Sequence, residues 1–339
     1  MTTRTEERVS AYSRALERFA RWLAAHRQPD GSLELPSRAC VAYTAQPVYA
    51  HAVGNTEWLA RSLRIIEDRC RDDADTFLHP PSNNLIPYRA AWMLLGAVFG
   101  QQFTLARWLE IWMLRFSHRG TGGFFGTEAA RQAGHGTICF DSTTQACAAL
   151  CVAGNIAAAE RLGEFLKRLV QSQPDPQRRL LCVWDTERGL LAEFDPKEAL
   201  SYVIEWDQPG QYLYKIGLLA RAFALLHART GQTRYLDLAE SVYHMAITQS
   251  LDPWHNTLAH KLGWAGHTLW SITRKSGYVE NACRMADRLV SLQQEEGGFD
   301  YPEYLPPYDQ VSPDLKCNYG AQFCTWIGYA RTMLLVSNP

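Results

Sequence analysis

Side chains able to move protons crowd a few short stretches of this 339-residue chain. GHGTICFDSTTQ carries His135 and Asp141, and YVIEWDQPGQYLYK carries Glu205, Trp206, Asp207, Tyr212, Tyr214 and Lys215. HPPSNNLIPYR contains Asn84, Tyr88 and Arg89; DPWHNTLAHK contains Trp254, His255, His260 and Lys261; FDYPEYLPPYDQ contains Asp300 and Tyr301. Groups that give and take protons near neutral pH, beside cations that hold an anionic group, are what general acid–base work on a bound small molecule requires. The candidate catalytic residues are therefore Glu205, Asp141, His135, His260 and Asp207. The candidate substrate-binding residues are Tyr88, Arg89, Asn84, Trp206, Tyr212, Lys215, Trp254, Asp300 and Tyr301. Glu205 stands out because Ile204 and Trp206 flank it, an apolar setting that suits a general acid. Plainer roles compete for two of the carboxylates. Ser142 and Gln145 have the spacing of a capping box, which would make Asp141 part of a helix start. Asp207 precedes Pro209 and has the position of an N-cap.

Other chemistries lack their residues. His255 and His260 are five apart, and neither HExxH nor CxxC spacing occurs, so no metal and no cofactor is expected. Asp72, Asp73 and Asp75 sit at the end of an outer helix and match neither DDxxD nor DxDD, which reads as a solvated helix end. Lys+Arg 34 against Asp+Glu 35 gives a net charge of −1. No global field therefore draws the chain to nucleic acid or to an anionic membrane. The polar N-terminus has no apolar signal region, and no apolar run approaches the roughly 20 residues of a membrane span. Nine cysteines without CxxC pairs fit a reduced, cytoplasmic protein. Cys147 and Cys151 share one helix face and read as core packing.

The elements that position these residues show in the hydropathy pattern. Amphipathic segments run at about 6–26, 56–70, 102–117, 156–170, 234–249 and 278–294. Between them lie segments that are apolar or small nearly all round, at about 39–53, 87–99, 142–153, 211–229, 260–275 and 318–335. A helix without a polar face must be buried on every side. Strict alternation of the two kinds predicts six helical hairpins closed into an (α/α)6 barrel, all-α, as a single domain over 1–339. Tight turns at Gly54, Gly100, Gly154, Gly231 and Gly277 leave the inner helices, each read as a cap with positive φ. Long loops lead back in, so one mouth collects six helix N-termini, each with about half a positive charge. That mouth is expected to hold the pocket, with the tight-turn end closed. The loop at 172–210 reads as a cavity wall with short β-structure of its own.

QPDGSLEL, RGTGGFFG, ERGLLAEF and QEEGGFDYP repeat a related phrase after four of the outer helices. YVENACRMADRLVSLQQEEGGFDYP resembles the QW-type repeat of the terpenoid-cyclase and protein-prenyltransferase toroids. LYKIGLLARAFALLHARTGQTRYLDLAE is similar to hairpins of the six-hairpin glycosidases and N-acylglucosamine epimerase-like enzymes. The resemblance implies the toroid fold along nearly the whole chain. Function is open at this level, because one fold hosts many chemistries. The first expectation is a cofactor-independent cyclase, isomerase or lyase acting on a small, natural-product-like, anionic or hydrophobic molecule. The alternatives are a carbohydrate-active enzyme (a glycoside or uronyl hydrolase, or a sugar epimerase) and a non-catalytic binding toroid. The WARGNGW-like phrase of the unsaturated-uronyl hydrolases and the paired RHxxxG pattern of the epimerases are both absent.

Overall fold

Among the described residues six helices line the bore and six pack around them. The computed structural model describes residues 3–28, 32–33, 39–70, 86–303 and 305–337. The first inner helix is in two pieces, Ala39–Tyr43 and Gln46–Ala52, the second carrying Pro47 in its first turn. The other inner helices are Ile86–Phe99, Phe140–Ala153, Tyr214–Thr230, Lys261–Thr273 and Pro313–Ser337. Each touches the next around a closed ring, the sixth against the first. Thr3–Ala25, Thr56–Cys70, Phe103–Leu114, Ile156–Gln171, Thr233–Gln249 and Gly277–Ser291 form the outer layer. The all-apolar pattern has the expected cause: in the third inner helix every residue from Phe140 to Cys151 is buried. Outer helices bury one stripe, as Leu162, Phe165, Leu166 and Leu169 do, each such side chain contributing roughly 1.5–3 kcal/mol. Cys147 and Cys151 are buried and free, within this packing.

Gly54, Gly154 and Gly231 adopt positive φ at the tight turns, as their residue type allows. Gly100 and Gly277 do not. The left-handed positions beside them are taken by Gln101 and Arg274. Gly100 is instead a packing glycine, since a Cβ there would lie 2.3 Å from Leu63.

The repeated loop phrase has a structural meaning. Three copies fold the chain back into an isolated antiparallel bridge just after an outer helix: Arg27 with Leu33, Ser117 with Phe124, and Gln293 with Phe299. In the last copy the Gln293 amide donates to Ala15 O and Gly297 O at 2.9 and 3.0 Å, and its carbonyl accepts from Arg18. Gly297, at φ 112°, fits against the Arg18 carbonyl where no Cβ has room. The phrase thus fastens the sixth outer helix to the first. The remaining copy, ERGLLAEF, forms a hairpin, Trp184–Asp185 with Gly189–Leu190, which also pairs with Thr137–Ile138. The long fourth loop adds a second ladder, Arg179–Leu181 with Val203–Glu205.

A layer of indoles fills the bore one turn below the mouth. Trp92, Trp264 and Trp326 stand four residues after Tyr88, His260 and Gln322, so each lies one helical turn deeper on the same face. Their ring centroids are 4.9 Å apart for Trp92 and Trp264 and 4.4 Å for Trp264 and Trp326. The Arg221 guanidinium stacks 3.5 Å over Trp264. One glycine sets how closely the fourth and fifth inner helices meet. A Cβ on Gly217 would lie 2.4 Å from the Lys261 carbonyl. Gly217→Ala is therefore expected to force these helices apart and cost about 1–3 kcal/mol. A denaturant midpoint equal to that of the wild type would show that the contact gives way freely.

Candidate active site

A cavity of about 500 Å³ opens where the inner helices begin. Its walls are Thr44 beside the first inner helix, Tyr88 and Arg89 from the second, Asp141 from the third and Tyr214 from the fourth. His260 and Lys261 come from the fifth, Asn318, Tyr319 and Gln322 from the sixth, and Tyr301 and Leu305 from the last long loop. A second hollow of about 560 Å³ adjoins it, sharing Asp141 and Tyr214 and adding Lys215, Tyr212, Tyr202 and Glu198. The pocket is thus at the long-loop mouth, as the loop lengths predicted.

Asp141 is the junction of the two hollows. The helix begins at Phe140 with Cys139 as its cap, Cys139 Sγ accepting from the Ser142 N–H at 3.4 Å. The capping box is not formed, and the Ser142 hydroxyl and Gln145 amide make no hydrogen bond. Asp141 thereby falls inside the first turn and faces the bore. Its Oδ2 accepts from the Tyr214 hydroxyl at 3.0 Å, and its Oδ1 lies 3.7 Å from Lys215 Nζ. Lys215 also donates to Ser201 O at 3.1 Å. Burial works against the Lys215 charge, but Asp141, Cys182 and Cys139 outweigh it and hold its pKa above the ordinary lysine value.

His260 is 1% exposed. Its Nδ1 lies 2.9 Å from Thr257 O, a group that can only accept, so Nδ1 carries the proton and also approaches the Tyr301 hydroxyl at 3.2 Å. Nε2 is therefore the basic nitrogen. It makes no hydrogen bond, although Gln322 is near enough to favour its protonated form. Burial, reinforced by Lys261, lowers the pKa well below the usual histidine value, so the ring is neutral at pH 7. Lys261 Nζ sits 4.4 Å over the Tyr214 ring and 5.3 Å over the Tyr88 ring. No carboxylate pairs with it at contact distance among the described residues. Burial brings its pKa down to about 7, with Asp141 pulling upward and Lys215 pushing downward.

Of the sequence candidates, Asp141, His260, Tyr88, Arg89 and Tyr301 converge on the cavity, and Lys215 and Tyr212 on the adjoining hollow. The others lie elsewhere. Glu205 is drawn into the ladder opposite Arg179, half-buried, with its N–H donating to Gln211. Trp206 is buried and donates its indole N–H to Pro176 O at 3.0 Å, a packing role. Asp207 lies exposed in a turn, seven residues before the fourth inner helix, and so does not cap it. His135 is exposed on the loop ahead of Thr137. Trp254 packs half-buried against the core, and Asp300 accepts from Gln294 outside the cavity. Asn84, Asp72, Asp73 and Asp75 lie outside the described residues. Lys261, Asn318, Tyr319 and Gln322 are wall residues absent from the candidate set. Asn318 and Gln322, four apart on a helix otherwise read as apolar, were the available signal.

Among the described residues no three His, Cys, Asp or Glu side chains are grouped to hold a metal, and no helix is long and apolar enough to cross a membrane. No known protein-family model and no curated protein matches the sequence. Solved structures do match. A D-mannose isomerase superposes with TM-score 0.64 at 13% identity, covering 96% of this chain and 97% of its own. The α-1,6-mannanase of Salegentibacter sp. HEL1_6 gives 0.66 at 13%, covering 95% and 99%. That structure is an inactive variant, two neighbouring aspartates replaced by asparagine, in complex with α-1,6-mannotriose. Cellobiose 2-epimerase of Bacillus thermoamylovorans gives 0.64 at 10%, covering 94% and 98%. The fold is the six-hairpin (α/α)6 toroid.

Proposed function

We propose that this toroid is a sugar isomerase or epimerase working by proton transfer beside a carbonyl carbon. One observation carries the reading: a buried histidine of fixed tautomer, its basic Nε2 unbonded, shares a cavity with a single carboxylate among the described residues. Glycoside hydrolysis needs two carboxylates flanking the scissile bond. Asp141 has Phe140 and Ser142 as its chain neighbours, unlike the aspartate pair altered in the inactive mannanase. Proton abstraction needs instead a base and a positive field for the developing enediolate. His260 supplies the first. Lys215, Arg89 and the converging helix N-termini supply the second. Tyr88, Tyr214, Tyr301 and Tyr319 give the aromatic walls on which a pyranose ring packs, and the matched isomerase and epimerase support the same class.

The test is proton NMR in D2O with D-mannose, D-glucose, cellobiose and α-1,6-mannotriose. The expected result is enzyme-dependent loss of a C2 proton signal from a reducing sugar, with a ketose or C2 epimer appearing. Release of new reducing ends from mannotriose without C2 exchange would establish the hydrolase instead.

A further inference from the structure

We propose that Lys261 is a nucleophilic amine that forms an imine with the carbonyl carbon of the open-chain substrate. The proposal rests on the sugar-epimerase reading for its substrate class and on the cavity for its geometry. Five of the chain's six lysines take no part in it: Lys167, Lys197, Lys275 and Lys316 lie away from the cavity, and Lys215 is committed to Asp141 and Ser201. Lys261 differs in every respect. It is 4% exposed, its Nζ is held over the rings of Tyr214 and Tyr88 and not at a carboxylate, and those rings are cavity walls. The groups facing it are Asp141 from the third inner helix, Lys215 from the fourth and His260 beside it in sequence. An amine desolvated among aromatic rings next to a second ammonium is the environment that produces the neutral, attacking form. The backbone of Lys261 is in turn set against Gly217, which fixes where the side chain starts.

The chemistry balances with water as the only co-reactant. The neutral amine adds to the C1 aldehyde of an open-chain aldose. The adduct takes up one proton from solvent, given back at the closing hydrolysis, and loses water to leave an iminium whose charge acidifies the C2–H. His260 Nε2 takes that proton, and the C–H electron pair forms the C1–C2 double bond as the nitrogen becomes neutral. A proton delivered from water to the other face of C2 restores the iminium, now epimeric, and His260 Nε2 gives its own proton back to solvent. Water then adds to C1, and the amine and the new aldose separate. Proton return to C1 would instead leave an aminoketose that water does not release. The covalent route therefore specifies C2 epimerisation and not aldose–ketose exchange.

The experiment is reductive trapping. The full-length protein is incubated with glycolaldehyde and sodium cyanoborohydride, and adducts are mapped by peptide mass spectrometry. Lys261 should be modified at least about tenfold faster than exposed Lys197 and Lys275, since the neutral amine is the attacking species. Lys261→Arg, which keeps a cation of similar length, should lose the adduct at that peptide and at least about 100-fold in C2 exchange on D-mannose. Labelling spread over Lys197 and Lys275 with Lys261 spared overturns the proposal. So does C2 exchange in Lys261→Arg within about threefold of the wild type, and that outcome leaves the epimerase reading standing. Selective trapping at Lys261 without C2 exchange on any aldose keeps the covalent amine and overturns the epimerase reading.

Discussion

Replacing His260 by asparagine should lower the rate of C2 proton exchange by roughly 100- to 10,000-fold, the usual contribution of a positioned general base. Asparagine is the informative choice because its amide nitrogen takes the place of Nδ1. It can still donate to the Thr257 carbonyl, which His260 Nδ1 meets at 2.9 Å. Of the two ring nitrogens only Nε2 is lost, together with the Cε1 carbon that bridges them. That nitrogen makes no hydrogen bond of ordinary distance and angle, so its loss disturbs only its approach to Gln322. The variant should keep the wild-type circular dichroism and melt cooperatively while losing exchange. Exchange within about tenfold of the wild type, measured by NMR in D2O, would mean that another group removes the proton.

The second large effect is on stability, and its sign is opposite to that of most core substitutions. Lys261→Met should stabilise the protein at neutral pH. In the folded chain Lys261 gives up its proton near pH 7, against 10.5 for an ordinary lysine. Between those values the unfolded chain binds the extra proton, so stability rises with pH across the window. The cost of the buried lysine is fully present below about pH 7 and gone above pH 10.5; it is on the order of 5 kcal/mol. Methionine fills similar volume without charge but forgoes the two ring contacts, worth about 2 kcal/mol together. The net expected gain is about 2–3 kcal/mol at pH 7, shrinking toward zero or reversing at pH 10.5. Denaturant unfolding of both proteins at several pH values reads this directly. A variant less stable at pH 7, or a difference independent of pH, would show that Lys261 is not a desolvated amine. Holding such a group at a cost to stability is the pattern of a functional site.

How much of this was legible beforehand differs sharply between fold and site. Helical period and burial class are local properties of a sequence. The alternation of one-sided with all-round apolar segments therefore gave all six hairpins, and the contrast between glycine turns and long loops placed the open mouth. Even the phrase around Gly297 could be seen as a repeat, because one steric requirement recurs at equivalent places. Cap detail was less secure: Gln101 and Arg274 take the left-handed positions that Gly100 and Gly277 were expected to fill, one residue after the first and three before the second, because the helix ends where packing sets it and a non-glycine residue can adopt that φ at modest cost.

The site depended on what no local window contains. Which mouth residues converge is set by each helix's rotation about its axis and by where its first turn begins. The helix of Phe140–Ala153 starts three residues before the capping box would have started it, and that puts Asp141 in the bore against Tyr214 and Lys215. Glu205 is only nine residues from Tyr214 in sequence, yet pairing of Val203–Glu205 with Arg179–Leu181 carries it away from the cavity. Lys261 is one residue beyond His260, and at a helix start such neighbours point about 100° apart; both nevertheless line the cavity, with the Lys261 carbonyl close against Gly217 of the fourth inner helix. The sequence by itself determined the toroid and the end that opens, because these follow from periodicity. Tertiary structure alone decided that one aspartate, one neutral histidine and one uncompensated lysine share the cavity, because their charge states arise from burial among residues distant in the chain.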